Sequence, residues 1–500
     1  MSEDRSTRRR ILAYLKGRPL PLVESMPLHI SDPADRMVIA FLRMAGESLP
    51  WAIGWKIADG PARILSVPEP RNRDLVSSMV AEFGDALISH LGIDSIPTDE
   101  EPIPDERLPQ VWIGGPTDLD MLHLIALRFA RARRGNDNLL SRLNCCGRCC
   151  HELFECAGNP FRANCVVASQ ALRTVLVFPT EPIRTMHLGY LLAMIPDGTL
   201  HQRLSRGEIA ESVALSTSLT PDVERGLEPL VTAWSKGGDA ERESARLELD
   251  CILAKEVTRR LDSVGAALQV LGNLKLPVSP SATSIRTQSI RALQMFKKYN
   301  ARVVGGEPSR SPETDHDPLF AASHFLQLDA DRQEAAGELL HHDSLALSDA
   351  VHNGKAICGD VVKRELITIP PRTLRVRLTV QTADFGPLRL REGDWTHCPI
   401  DTNSSLRWVI QSIDEIPNGG RLVVLQANKP LGVDQEPLQG SKRVVFHEAS
   451  EPELRRRLAA MVWDLDDRLK SDALPSRAFL ARLRGQDRGH TPLPSDVEDD

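Results

Sequence analysis

The 500-residue chain is most informative at first through what it lacks. No uninterrupted apolar run approaches the roughly 20 residues needed to cross a bilayer, which excludes an ordinary transmembrane helix. Near the N-terminus charges flank a five-residue apolar core, Ile11 to Leu15, too short for a secretory h-region; the expectation is a cytoplasmic protein. There is no GxxxxGK[ST] phosphate loop, no GxGxxG after a strand, no GxSxG elbow and no HExxH helix, so the usual routes to an autonomous P-loop ATPase, a dinucleotide enzyme, a serine hydrolase and a zinc protease are closed. Charge of one sign is also missing: 61 basic against 68 acidic residues leave a net charge of -7. A wholly basic nucleic-acid coat is excluded, and any nucleic-acid surface must be local. Nine cysteines, an odd number with two adjacent pairs, do not form a disulfide framework in a reducing compartment.

What is present has the composition of a globular protein, 41% hydrophobic and 26% charged, and length enough for several cores. The reading is a multidomain α+β chain. Residues 1–25 form a basic arm. Residues 26–135 form an α/β module, 136–350 a helical bundle, 354–447 a small β-barrel, 448–485 C-terminal helices and 486–500 a disordered acidic tail.

Within the α/β module, residues 37–42 are a buried-strand run, and residues 51–57 and 62–67 flank an Asp59-Gly60-Pro61 turn as a hairpin. Residues 72–91 have helical spacing of Leu75, Met79, Phe83, Leu87 and Leu91. A short strand at 111–113 and Gly114-Gly115-Pro116 lead into a helix from Asp118, with Thr117 or Asp118 as N-cap. This order of strand, hairpin, helix, strand, helix resembles the start of ribonuclease H-like nucleases over about 110 residues. The resemblance implies two metal ions held on several carboxylates, including acidic residues on the first central strand. Residues 37–42 offer no acid there; the nearest candidates, Asp32, Asp35, Asp118 and Asp120, read as turn or cap residues.

In the helical part, residues 240–271 keep a three-and-four apolar spacing through Leu247, Ala254, Val257, Leu261, Val264, Leu268 and Leu271, suited to a bundle spine. The helix 283–304 carries Arg286, Arg291, Lys297, Lys298 and Arg302 beside Phe296 and Tyr299. With Arg8, Arg9 and Arg10 of the basic arm, Arg286, Arg291, Lys297 and Lys298 are the candidate phosphate contacts; a solvated outer face is the plainer reading. His316-Asp317 and His342-Asp343, with His324 and His341, invite comparison with HD-type metal phosphohydrolases. Adjacent His341 and His342 would point to different sides of a helix, however.

From residue 354 the pattern turns to short strands at 358–362, 374–381, 388–390, 408–416 and 422–426. Turns are expected at Pro370-Pro371, Gly393-Asp394 and Asn418-Gly419-Gly420. The stretch Gly386 to Asp394 resembles the strand and diverging turn of small SH3-like or OB-like barrels, including those inserted in superfamily 1 helicases. Ser450 to Glu453 form a capping box that starts a helix at about 451–470, with a shorter helix at 476–484.

Six of the nine cysteines fall in residues 145–165, beginning CCGRCCHELFEC. As one helix, residues 138–156 align Leu139, Leu143, Cys146, Cys150 and Leu153 in an apolar seam. Cys145, Cys149 and Cys156 lie on its shoulder, and Arg148, Glu152 and Glu155 on the far side. In such a helix Cys149 and Cys156 stand about 10.5 Å apart along the axis, whereas thiolates on one zinc lie within roughly 4 Å of one another. A four-thiolate zinc or iron-sulfur centre of Cys146, Cys149, Cys156 and Cys165 requires a break at Gly147. Buried structural thiols, a metal centre and a redox site all remain open here.

The functional expectation is a non-enzymatic adaptor or accessory protein of a nucleic-acid-processing system, with a helicase or nuclease subunit as protein partner, nucleic acid as a further ligand, no membrane and no cofactor beyond a candidate zinc. The alternatives are a divergent metal-dependent nuclease or phosphoesterase using Asp118, Asp120, His316 or His342, and a cysteine-cluster metal or redox sensor.

Overall fold

The computed structural model describes residues 3–44, 47–93, 107–130, 138–183, 186–304, 325, 328–329, 332–333, 335–340, 343–369, 373–383, 386, 388–398, 406–417, 419–429 and 444–448. His316, Asp317, His324, His341, His342, the C-terminal helices and the acidic tail lie outside them. The fold is mixed α+β in two compact units, Met1–Glu313 and Thr314–Asp500. No helix among the described residues is long and apolar enough to cross a membrane.

The first unit opens with helix α1 (Glu3–Lys16) and strand β1 (Leu20–Pro21). Residues 3–16 of the basic arm are therefore a helix, whose Arg10 pairs with Glu181 at 2.9 Å. Next come β2 (Arg36–Leu42), β3 (Ala52–Ile57) and β4 (Arg63–Ser66), then helix α2 (Arg73–Leu91), β5 (Gln110–Ile113), α3 (Pro116–Phe129), α4 (Asn138–Gly158) and β6 (Cys165–Val167). The sheet order is β4-β3-β2-β5-β6. β2, β3 and β4 are antiparallel, whereas β5 runs parallel to β2 and β6 parallel to β5. After Arg36 every residue of β2 is buried, as expected of a strand covered on both faces.

Local signals explain these elements. Asn72 caps α2 by accepting hydrogen bonds from the backbone N–H groups of Asp74 and Leu75, and Gly92 ends it at φ 63°, a left-handed stop that glycine adopts without strain. The far end of the unit adds α5 (Ala168–Val175), β7 (Leu176–Val177), α6 (Leu188–Ala193), α7 (Leu200–Ser212), α8 (Pro221–Lys236), α9 (Asp239–Asn273) and α10 (Pro280–Val304); β7 pairs with β1.

The segment expected as a separate helical bundle belongs to this sheet unit. It supplies β6, and α9 lies across β2 and β3. Strand alternation shows why. Ile39, Phe41, Ile53 and Trp55 share one sheet face by cross-strand pairing, and Phe83 of α2 packs on it, 5.8 Å from Phe41 and 5.9 Å from Trp55 between ring centroids. The small Ala40 and Gly54 form the other face, where a Cβ on Gly54 would collide with Val257 of α9. Small residues thus admit the long helix to close range. The seam of α9 also shifts from expectation: Ala245, Leu249, Leu253, Val257, Leu261, Val264, Ala267 and Leu271 are buried, whereas Leu247 is 63% exposed.

The second unit contains α11 (Ser344–His352) and strands β8 (Ala356–Ile369), β9 (Thr373–Thr382), β10 (Trp395–His397), β11 (Trp408–Glu415), β12 (Arg421–Ala427) and β13 (Val444–Glu448). The antiparallel order β10-β11-β12-β9-β8-β13 closes because β10 pairs with both β11 and β13. Val376, Leu378, Val380, Ile410, Val423 and Leu425 fill the interior with Trp408 and Phe446, whose rings meet edge to face at 5.8 Å. β8 is longer than the sequence pattern implied, residues 388–390 are not a strand, and the short β10 and β13 carried no signal of their own.

Candidate functional site: a carboxyl and guanidinium pocket at the strand ends

β2 and β5 run side by side with Ile39 opposite Ile113. Beyond Ile113 the chain turns through Gly114 and Gly115 into α3. Gly115, rather than Thr117 or Asp118, is the N-cap, and Pro116 occupies the first turn, where its missing N–H costs nothing. Asp118 is then the third helical residue, and its Oδ2 accepts a hydrogen bond from the Gly115 N–H at 3.1 Å. Gly114 makes room for the carboxyl: a Cβ there would sit 3.2 Å from Oδ2. Asp118 is only 3% exposed. Burial pushes its pKa up to about 7, against the pull of the Gly115 N–H and of Arg260.

Arg260 arrives from α9 and is 4% exposed. Its Nε and Nη2 donate to the Ser216 carbonyl at 3.0 and 2.9 Å, and Nη1 donates to the Glu256 carbonyl at 2.8 Å and carboxylate at 3.0 Å. Desolvation lowers its pKa and Glu256 restores part of it. These bonds fasten the 213–221 loop to α9. Arg259 adds a bond to the Ala214 carbonyl at 2.8 Å, and the Thr217 N–H donates to Thr117 Oγ1 at 3.3 Å. His187 precedes α6; its Nδ1 accepts from the Tyr190 N–H at 3.2 Å, so Nε2 carries the hydrogen that meets the Val213 carbonyl at 3.0 Å. These groups enclose a cavity of about 360 Å³ in which Asp118 is the one lining carboxyl among the described residues.

The other candidate acids are elsewhere. Asp32 and Asp35 precede β2, at the opposite end of the strand from the cavity, and Asp35 pairs with Arg107. Asp120 is exposed and does not line the cavity. Two-metal hydrolysis needs several carboxylates converging on one point, and the cavity supplies one.

The cysteine stretch is an unbroken helix through Gly147. Cys146, Cys149, Cys150 and Cys156 on α4 and Cys165 on β6 are each 3% exposed or less. The knuckle at Gly147 that would gather Cys146, Cys149, Cys156 and Cys165 is not formed. Among the described residues no group of three or more His, Cys, Asp or Glu is placed to hold a metal ion. The thiol pKa values are pushed well above the usual range, by the Cys150 hydrogen bond and then burial at Cys146, by the Cys145 hydrogen bond and then burial at Cys149, and by burial at Cys156. Burial carries Cys165 to about 12. A protonated, covered thiol is a poor nucleophile. Arg148, expected on the solvent side, is 3% exposed because α10 covers it; Nε and Nη2 donate to Asn300 Oδ1 at 2.8 and 2.6 Å. Native alkylation followed by peptide mass mapping should therefore label exposed Cys251 first and half-buried Cys145 more slowly. The other seven should react only in denaturant; early labelling of Cys149 or Cys156 would refute this packing.

The basic candidates fall on two helices of the first unit. Arg8 on α1 is exposed and Arg9 and Arg10 are half-buried. On α10, Arg291 and Lys298 are exposed and Arg286 and Lys297 half-buried, while Ile290, Leu293 and Phe296 face the core. Phe296 is thus a core residue, as its three-residue step from Leu293 dictates, while Tyr299 is half-buried against the same core. Arg260, His187 and Ser216 were not singled out from sequence. The one available signal was an arginine beside Leu261 on the apolar seam of α9.

No protein-family model, curated protein or solved structure matches this chain.

Proposed function

We propose that the chain is a non-catalytic accessory protein of a nucleic-acid-processing system, in which a ribonuclease H-like sheet serves as a binding scaffold and an SH3-like or OB-like barrel accompanies it. The observation that carries this reading is the sheet. A three-stranded antiparallel hairpin set followed by two parallel strands in the order β4-β3-β2-β5-β6 is the arrangement expected of ribonuclease H-like proteins, yet β2 contains no acid and Asp118 has no second carboxylate with it in the cavity. A scaffold of that kind without metal-holding carboxylates favours binding over hydrolysis. The exposed Arg8, Arg291 and Lys298 are suited to phosphate contacts, and a helicase or nuclease subunit is the proposed protein partner.

The test is a filter-binding titration of single- and double-stranded oligonucleotides across salt concentrations, run beside a cleavage assay with magnesium or manganese. Expected are salt-dependent binding and no turnover. Replacing Arg291 and Lys298 together by alanine should flatten the salt dependence by about two phosphate contacts' worth, a slope of roughly 0.7 to 0.9 per contact. Salt-independent or absent binding removes the nucleic-acid reading; metal-stimulated cleavage abolished by Asp118→Asn would establish an enzyme instead.

A further inference from the structure

We propose that the cavity between β2, β5, α3 and α9 binds one unpaired nucleobase, its ring faces against the apolar walls and its hydrogen-bonding edge toward Asp118 and Arg260. The inference rests on the nucleic-acid reading above only for the source of the base; the pocket chemistry is independent of it.

Size sets the first limit. A volume of about 360 Å³ is at the small end of ligand pockets, roughly 300–1,000 Å³, which suits a nucleoside and excludes a helix or a folded peptide. Charge sets the second. Among the described residues the cavity lining contains one acid, Asp118, with Arg260 and His187, and Arg260 is paired at 3.0 Å with Glu256, a carboxylate that it shares with Arg259. No acidic cluster among the described lining residues draws in a cation. With its pKa near 7, the Asp118 carboxyl can donate or accept a hydrogen bond at neutral pH, as a neutral polar ligand requires.

Valence supplies the third limit. Four of the five N–H donors of Arg260 are used on Ser216 and Glu256, which leaves one Nη2 hydrogen among the described contacts. A donor from Arg260 in the same cavity as the Asp118 carboxyl suits an amide edge, in which a carbonyl and an N–H lie side by side. Ala40, Leu188, Leu215 and Val264 supply apolar surface. Guanine and uracil are uncharged planar rings with such an amide edge. Pro221 is the exposed residue of the described lining, and Ser216, Thr220 and Ser263 are half-buried; an entrance on that side lets a base swung out of a single strand reach the cavity while its phosphates stay in water.

The experiment uses the full chain. Adenosine, guanosine, cytidine and uridine are titrated by calorimetry, with ribose 5-phosphate and inorganic phosphate as controls. At least one nucleoside should saturate a single site while the controls do not bind. Val264→Phe, which fills the cavity, should weaken binding at least about tenfold. If that variant does not fold, Ser263→Leu at the entrance should do the same. Equal binding of ribose 5-phosphate, no nucleoside binding, or nucleoside affinity unchanged in a folded plug variant overturns the proposal. A single-stranded oligonucleotide carrying 2-aminopurine separates the two readings. Oligonucleotide binding without nucleoside binding or a fluorescence change removes the pocket alone, whereas nucleoside binding without oligonucleotide binding supports the pocket and removes the nucleic-acid reading.

Discussion

Gly147→Ala should destabilise the first unit by more than about 4 kcal/mol, although helix propensity taken alone favours the change by roughly 1 kcal/mol. The signs are opposite because α4 crosses the end of α3 at Gly147. An alanine Cβ there would lie 2.6 Å from the Phe129 carbonyl carbon and closer still to the Ala130 nitrogen. Both are backbone atoms, so no rotamer change relieves the clash and the helices must separate. Separation would also withdraw Asn144, whose Nδ2 donates to the carbonyls of Phe129 and Ala130, and would open the packing of Cys146 against Gly84. Gly265→Ala in α9 is the control. Nothing lies within 4 Å of its Cβ, so it should stabilise by about 0.5–1 kcal/mol. Urea denaturation of both variants decides the matter; a neutral Gly147→Ala would mean that α3 and α4 do not approach so closely.

The second large effect is a dependence on pH. Folded Asp118 holds its proton up to about pH 7, whereas the ordinary carboxyl gives it up near 3.8. Between these values the folded chain binds the extra proton, so stability falls as pH rises from about 4 to about 7 and levels off above that. The full displacement corresponds to about 4 kcal/mol. The groups facing this carboxyl are the backbone N–H groups of Gly115, Gly114 and, from β2, Phe41, and Arg260 from α9 with Glu256 behind it; His187 lines the same cavity. Asp118→Asn cannot ionise, so between pH 4 and pH 8 its stability should improve relative to the unsubstituted protein by up to about 4 kcal/mol. Parallel urea-denaturation profiles at several pH values would show instead that Asp118 is solvated in the folded protein.

Asn72 and Gly92 mark the ends of α2 in sequence because capping involves neighbours within four residues. Residues 37–42 read as a strand because an unbroken apolar run of that length belongs to a strand covered on both faces. In the barrel, β9 alternates apolar and polar residues from Leu374 to Gln381, and β11 and β12 contain the apolar clusters Trp408 to Ile410 and Leu422 to Leu425, whereas β10 has three residues, too few to show a period. β13 owes its place to pairing with β8 and β10, partners distant along the chain. The candidate site divides in the same way. Asp118 was legible as a carboxylate at a helix start, but Arg260, His187 and Ser216 converge on it from α9 and two loops.

CCGRCCHELFEC shows where local pattern ends. Its three-and-four spacing alone was enough to place Cys146, Cys150 and Leu153 on one buried seam, because helical periodicity is a property of the segment. Whether Gly147 was a hinge or a contact, and whether Arg148 faced water or Asn300, depended on α3 and α10 covering the remaining faces. Likewise the segment identifies Asp118 as an acid, while its affinity for a proton is set by desolvation, which requires α9 and the 213–221 loop. Periodicity acts over a few residues and is written in the chain; burial and close approach are made by atoms that only the fold brings together.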